Sequence, residues 1–293
     1  MTLARRCCLL QCSGPAWSSS TVNVALPALQ ASLGASVVDV QWVINGYTLF
    51  LAALLMLGGS LGDHLGRKRM FMVGMIVFTL ASIWCGLAGD VQQLIAARAL
   101  QGVGGALLTP GSLALINANF SEGARGSAIG RWSAYSAIAV AGGPILGGWL
   151  IDTFSWRWIF FINLPIALAA LLLTARRVPE SRDPDADAQL DYLGAALVTL
   201  GLGGAVYALL EAPARSWGDP FIIAAGLGGT ALLLAFVVAE ARSSSPMVPL
   251  GLFRSRVFSG INLVTLLLYA NLAGLSFFLP MYLIQVRGFS AAA

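Results

Sequence analysis

The chain has 293 residues, of which 58% are hydrophobic and only 10% charged; an ordinary soluble domain carries about 25% charged residues. With a mean hydropathy of +0.80, it has too little polar surface to cover itself in water, which excludes a soluble globular protein. The formal net charge of +4 comes from basic residues gathered at the edges of apolar blocks, so the expected partner is a lipid bilayer and not nucleic acid.

Those apolar blocks run to about 20 residues, enough for a helix to cross about 30 Å of hydrocarbon, whereas barrel strands would be shorter and alternating. Nine membrane helices are predicted. The first, about 9–29, is poorly defined; the others fall at 43–62, 70–88, 94–117, 128–151, 157–175, 192–211, 220–239 and 257–284. The fold class is therefore an all-α integral membrane protein. With the N-terminus in the cytoplasm, 13 of the 17 Lys and Arg fall on the inner side, including Arg5, Arg6, Arg67, Lys68, Arg69, Arg176 and Arg177. The positive-inside rule favours that orientation and a multi-pass protein of the cell membrane.

Short loops pair successive helices up to about residue 175. An acidic connector with Glu180, Asp183, Asp185, Asp187 and Asp191 follows, then two helices, then a second connector, 241–253, with Pro246 and Pro249. This pattern predicts an atypical N-terminus over 1–20, a six-helix bundle over 21–175, linkers and two inserted helices over 176–256, and over 257–293 the first helix of a second bundle that the chain otherwise lacks.

The most informative loop is Gly59-Ser60-Leu61-Gly62-Asp63-His64-Leu65-Gly66-Arg67-Lys68-Arg69, between two runs without charge. Asp63 and Arg67 are four residues apart, the spacing of a salt bridge or helix cap at a membrane edge; a plain positive-inside stop signal is the bland alternative. Gly59, Gly62 and Gly66 permit close approach and a tight turn. Arg98 lies near or within the fourth predicted helix, where an arginine must snorkel, pair or face an aqueous cavity. Gln101, Gly102, Gly104 and Gly105 follow it and suggest tight packing. In the fifth, Gly142-Gly143-Pro144 and Gly147-Gly148 predict a bend, either a structural kink or part of a conformational switch. Trp156 and Trp158 read as interface anchors. Asn23, Asn163 and Asn271 need partners at membrane depth and, with Gln101, are candidates to line a cavity. Glu211 and Glu240 close their helices and are expected at the interface.

No catalytic, nucleotide-binding or metal-binding pattern is present. The cysteines at 7, 8, 12 and 85 have no partner histidines, His64 being the only one, so neither a metal nor a cofactor is expected. Polar residues are few and thinly spread, which places transport ahead of catalysis; without an ATPase module, transport would be secondary or depend on an absent partner.

These motifs resemble the major facilitator superfamily, in particular its fourteen-helix drug:proton antiporter branch. Gly59-x-Leu61-Gly62-Asp63-x-x-Gly66-Arg67-Lys68 is similar to the superfamily's loop 2–3 motif, and Arg98-x-x-Gln101-Gly102 to its helix 4 motif. Gly143-Pro144-x-x-Gly147-Gly148 is similar to the antiporter motif of helix 5, with Ala139 where a leading glycine is usual. Val22-Asn23-Val24-Ala25-Leu26-Pro27 and Trp156-Arg157-Trp158-Ile159-Phe160 resemble the branch's helix 1 and helix 6 patterns. The resemblance implies alternating access between two six-helix bundles, gating by Gly59, Asp63, Gly66, Arg67 and Lys68, proton coupling through Arg98, and an antiport role for Gly143, Pro144, Gly147 and Gly148. The implied partners are protons and small amphipathic molecules or drugs, exported as multidrug efflux; the motifs specify neither the cargo nor an oligomeric state. Export of one endogenous metabolite, or a non-transporting membrane remnant, is the alternative. Two departures stand out. Ser18 and Ser20 occupy places where the branch has an acid and a threonine, and the pattern is absent before about residue 20, so a frameshift or misplaced start is expected there. The second bundle would lack five helices, so a partial copy is expected.

Overall fold

The computed structural model describes residues 13–182, 191–243, 246 and 248–287; it is helical throughout, with no strand among these residues. Ten helices follow in order: α1 (Ser13–Leu33), α2 (Val37–Leu65), α3 (Arg67–Leu87), α4 (Val91–Asn119), α5 (Glu122–Thr153), α6 (Trp158–Phe161), α7 (Asn163–Arg177), α8 (Tyr192–Arg215), α9 (Pro220–Arg242) and α10 (Arg256–Met281). The short α6 and α7 together form one span. Among the described residues, eight spans are long and apolar enough to cross a membrane, from Val37–Leu65 to Arg256–Ile284. The protein is a multi-pass membrane protein.

Most helices are longer than their apolar stretches because polar residues cap them. Ser36 and Asp39 form a reciprocal capping box that starts α2 six residues before the predicted 43. The Asp90 carboxylate accepts from the Gln93 N–H at 2.8 Å, and Asp191 and Asp219 do the same for α8 and α9. At the other end of α3, the Arg157 guanidinium donates to the carbonyls of Gly86 (2.9 Å) and Ala88 (2.7 Å). A helix is already formed at Ser13, in the segment read as atypical; the cysteines at 7, 8 and 12 and most of the acidic connector lie outside the described residues.

The centre of the molecule is α4, packed on α2 along one side and α3 along the other. The approach is close enough to require glycine: a Cβ on Gly104 would lie 2.6 Å from the Phe78 backbone nitrogen, and one on Gly74 would lie 2.6 Å from Leu107 Cβ. Two apolar clusters flank this contact. One gathers Val22, Leu26, Val43, Leu94, Ile159 and Phe160; the other gathers Tyr47, Phe71, Phe78, Leu108 and Leu115. Helix α5 packs chiefly on α1, and α8 and α9 form a hairpin that rests on α2 through α8. Helix α10 touches α1. Glu240, expected at the interface, is buried, and its carboxylate accepts from the Val248 N–H at 2.9 Å; it ties the second connector to the end of α9.

Candidate functional site

At the junction of α2 and α3, Gly66 adopts φ +115°, a conformation that disfavours any residue with a Cβ. The turn brings Asp63 back onto Arg67, whose Nε donates to Asp63 Oδ1 at 2.8 Å. Gly66 offers no side chain to cap α3. Glu180 supplies the cap from over a hundred residues away: its two carboxylate oxygens accept from the backbone N–H groups of Lys68 (3.0 Å) and Arg69 (3.2 Å). A negative charge at a helix N-terminus is favourable both as a hydrogen-bond acceptor and against the helix dipole. The Arg67 N–H donates to the Ser181 carbonyl at 2.9 Å, and Lys68 Nζ to the Ala175 carbonyl at 2.9 Å. The charged turn and the chain leaving α7 are therefore one assembly. Gly59 lies one face over, 3.5 Å from Pro110 Cβ when a Cβ is built on it. It lines a cavity of about 500 Å³ with Asp63, His64 and Thr109.

Arg98 lies deep between α2, α3 and α4 and is 1% exposed. Its Nε donates to the Val43 carbonyl at 3.1 Å and its Nη1 to Gln101 Oε1 at 2.6 Å. The Tyr47 ring covers it, 4.2 Å from the guanidinium carbon to the ring centroid. Arg98 does not snorkel. A buried guanidinium is tolerable only when its donors are satisfied, and here a backbone carbonyl, an amide and an aromatic face share that task. Gln101 is thus an orienting partner of Arg98, with Cys85 Sγ 3.9 Å from its Oε1.

The α5 motif is placed against α1. The helix runs unbroken from Glu122 to Thr153 through Pro144. Gly143, Gly147 and Gly148 are buried, and a Cβ on Gly147 would lie 3.1 Å from Thr21 Cγ2. Of the four amides proposed to line a cavity, Asn23 does so, in a space of about 270 Å³. Asn163 is buried and donates to Ser82 Oγ at 2.9 Å, and that hydroxyl donates to the Phe160 carbonyl at 3.0 Å. Asn271 is exposed on α10. The structure does not bring the three motif groups to one point: they occupy the α2–α3 turn, the early part of the α2–α4 contact and the α1–α5 contact. Among the described residues, no group of three or more His, Cys, Asp and Glu could hold a metal ion.

A family model described as Major Facilitator Superfamily matches residues 15–293. The chain belongs to the major facilitator superfamily. It is 43% identical over 272 residues to a puromycin resistance protein of Streptomyces alboniger, covering 92% of this chain and 54% of that one. It is 38% identical over 276 residues to a tetracenomycin C resistance and export protein of Streptomyces glaucescens, covering 94% and 51%. The chain thus spans about half the length of the curated relatives it matches. A crystal structure of a peptide transporter superposes with a TM-score of 0.69 over 98% of this chain and 63% of that one; at 16% identity it shows the fold alone.

Two elements of this superfamily member were not singled out from its sequence. Glu180 reads there as one acid among five in a connector, and the only signal for its role is that α3 begins at a glycine with no cap of its own. Trp42 donates to Glu211 Oε1 at 3.0 Å and packs tilted against Tyr207, 6.2 Å between ring centroids, which docks α8 onto α2. An acid at a helix end and a tryptophan at the start of another give no sign that they meet.

Proposed function

We propose that the chain forms the first bundle, the inserted helix pair and the first helix of the second bundle of a proton-coupled exporter of small amphipathic antibiotics, working by alternating access. The reading is carried by one observation: over more than nine-tenths of its length the chain is similar to proteins named for antibiotic resistance and export. The geometry supplies parts such a machine needs. The Asp63–Arg67 pair, the Gly66 turn, Lys68 and the Glu180 cap form a stiff charged corner. Its cytoplasmic placement follows from the positive-inside count. There it would latch the inner side closed, with Gly59 leaving room for a helix of the other bundle. Arg98 provides a fixed positive charge at membrane depth, enclosed by protein partners, where coupling to protons would act. Gly143, Pro144, Gly147 and Gly148 let α5 slide closely along α1, where bundle motion needs a smooth contact.

The test is drug resistance in a sensitive bacterial host. The chain joined to the remaining half of the Streptomyces alboniger relative should raise resistance to puromycin or tetracenomycin-like compounds, and a protonophore should abolish the gain. Resistance that survives the protonophore contradicts proton coupling. A properly inserted chimera that protects against no member of a compound panel favours a single endogenous metabolite or an inert protein.

A further inference from the structure

Between α8 and α9 lies an apolar trough of about 450 Å³. Its floor is made of small residues, Ala205 and Ala208 of α8 and Gly226 of α9, beside the buried Ile222. Leu209, Trp217 and Leu227 also line it, each more than 60% exposed. Thr230 is the lining residue farthest along α9, and its hydroxyl already donates to the Gly226 carbonyl at 2.8 Å. Among the described residues, no charged side chain lines the space. The trough faces away from the bundle. Helix α8 meets α2 through Gly203, Tyr207 and Glu211; at about 100° per residue, Ala205, Ala208 and Leu209 fall on the opposite side. The medium there is lipid, since protein buries only 11% of the most apolar stretch of α9.

From the start of α9 at Pro220 to Thr230 the trough is about 15 Å long, one leaflet's share of about 30 Å of hydrocarbon. Spread over that length, about 450 Å³ gives a mean cross-section of about 30 Å², whereas a helix about 10 Å across needs roughly 80 Å². The space fits one hydrocarbon chain and not a helix of a second copy. Its mouth is the α8–α9 turn, which carries both signs of charge. Arg215 is half exposed and keeps one bond, from Nε to Glu211 Oε2 at 3.3 Å; its Nη groups meet no acceptor among the described residues. Asp219 Oδ1 accepts from the Phe221 N–H at 2.8 Å, and Oδ2 meets no donor among them. Ser216 holds φ +131°, a conformation costly for any residue but glycine. The turn it makes sets Trp217 beside the trough, at the headgroup level that tryptophan favours.

We infer that the α8–α9 trough binds one acyl chain of a phospholipid whose headgroup carries a phosphate and a primary ammonium, as in phosphatidylethanolamine. The chain lies along the small-residue floor, the phosphate meets Arg215, and the ammonium donates to Asp219 Oδ2. A choline headgroup has the charge but no N–H to donate, and a glycerol headgroup lacks the cation, so the two groups at the mouth together select the amine. Helix α9 is held chiefly by α8, so a lipid lodged between them braces the open side of the hairpin. The inference is independent of the exporter reading.

The purified 293-residue chain is taken into a mild detergent with equal amounts of phosphatidylethanolamine, phosphatidylcholine and phosphatidylglycerol of identical chains, and retained lipid is counted by native mass spectrometry. One phosphatidylethanolamine per chain should be held, about threefold to tenfold more tightly than the other two lipids, one hydrogen bond's worth. Gly226→Leu fills the trough from its floor and should cut retention of all three lipids by about tenfold. Gly228→Leu adds the same side chain where nothing lies within 4 Å and should leave retention unchanged. Asp219→Asn keeps a helix cap but should lower phosphatidylethanolamine to the level of phosphatidylcholine. The headgroup comparison on the unaltered chain guards against misfolded variants. Equal retention of the three lipids by that chain, equal retention by the two leucine variants, or an undiminished amine preference in Asp219→Asn would overturn the assignment. So would a dimer that Gly226→Leu abolishes, which would give the trough to a second copy.

Discussion

Helices α4 and α10 are both long, apolar and free of acidic residues, yet the structure uses them in opposite ways. In the most apolar stretch of α4, 56% of residues are buried; in α10, none are. Helix α4 is enclosed by helices of its own bundle, whereas α10 meets chiefly α1 in a chain that spans about half the length of its relatives. Helix α4 carries Gly102, Gly104 and Gly105, which let α2 and α3 approach to backbone contact, and it carries Arg98 and Gln101, which need protein partners. Helix α10 carries large aliphatic residues such as Leu266, Leu267 and Leu268, all more than 60% exposed. Hydrophobicity takes a helix into the bilayer, but lipid tails are as apolar as leucine, so it is the small residues and buried polar groups of α4 that hold it against α2 and α3.

The contrast can be broken most forcefully at its glycines. Gly104→Val forces a branched side chain against the Phe78 backbone and should destabilise the bundle by about 3 kcal/mol, whereas Gly260→Val, which meets nothing within 4 Å, should change stability by less than about 0.5 kcal/mol. Unfolding in mixed micelles, followed by circular dichroism, measures both; similar losses would erase the distinction between the two helices.

A sharper version concerns function. In the chimera with the Streptomyces relative, Asp63→Asn and Arg67→Gln should each cut efflux by about tenfold, while membrane insertion, read by protease protection, stays near normal. A half-buried pair of this type at a helix end contributes only about 1 kcal/mol to stability, so a comparable fall in insertion and transport would mean a structural anchor and no gate.

Smaller effects test the two contacts that the sequence concealed. Glu180→Gln removes the charge that caps α3 and should cost about 1 kcal/mol locally, so the amides of Lys68 and Arg69 should exchange hydrogen roughly fivefold faster. Unchanged exchange would show that Ser181 and the turn suffice. Trp42→Phe keeps an aromatic ring at the position but loses the bond to Glu211, worth about 1 kcal/mol. Distances between spin labels on α2 and α8 should broaden modestly, and an unaltered distribution would assign the docking to apolar contact alone.

Most of the helical plan was legible in the sequence because bilayer thickness fixes the length of an apolar run. The helix ends were less so, since a search for uncharged runs discards the residues that cap helices: Ser36, Asp39, Asp90 and Asp219 read as loop and prove to be first-turn ligands. The site was legible in proportion to how local it is. Asp63, Gly66 and Arg67 lie within one turn, and their spacing announces the contact. Arg98 was conspicuous as a charge inside an apolar helix, but its partners Val43 and Tyr47 come from another helix, and nothing in their spacing points to it. Asn163 and Gln101 read as cavity candidates because amides at membrane depth need partners; their partners are Ser82 and Arg98, inside the bundle.

The central claim is that the buried guanidinium of Arg98 couples export to protons. It is tested most directly by substrate-driven proton movement in everted vesicles containing the chimera, with and without Arg98→Gln. Addition of the antibiotic should dissipate an imposed proton gradient in the parent. In the variant it should not, while the protein remains inserted and still binds the antibiotic. A variant that moves protons at the parent's rate would contradict the account.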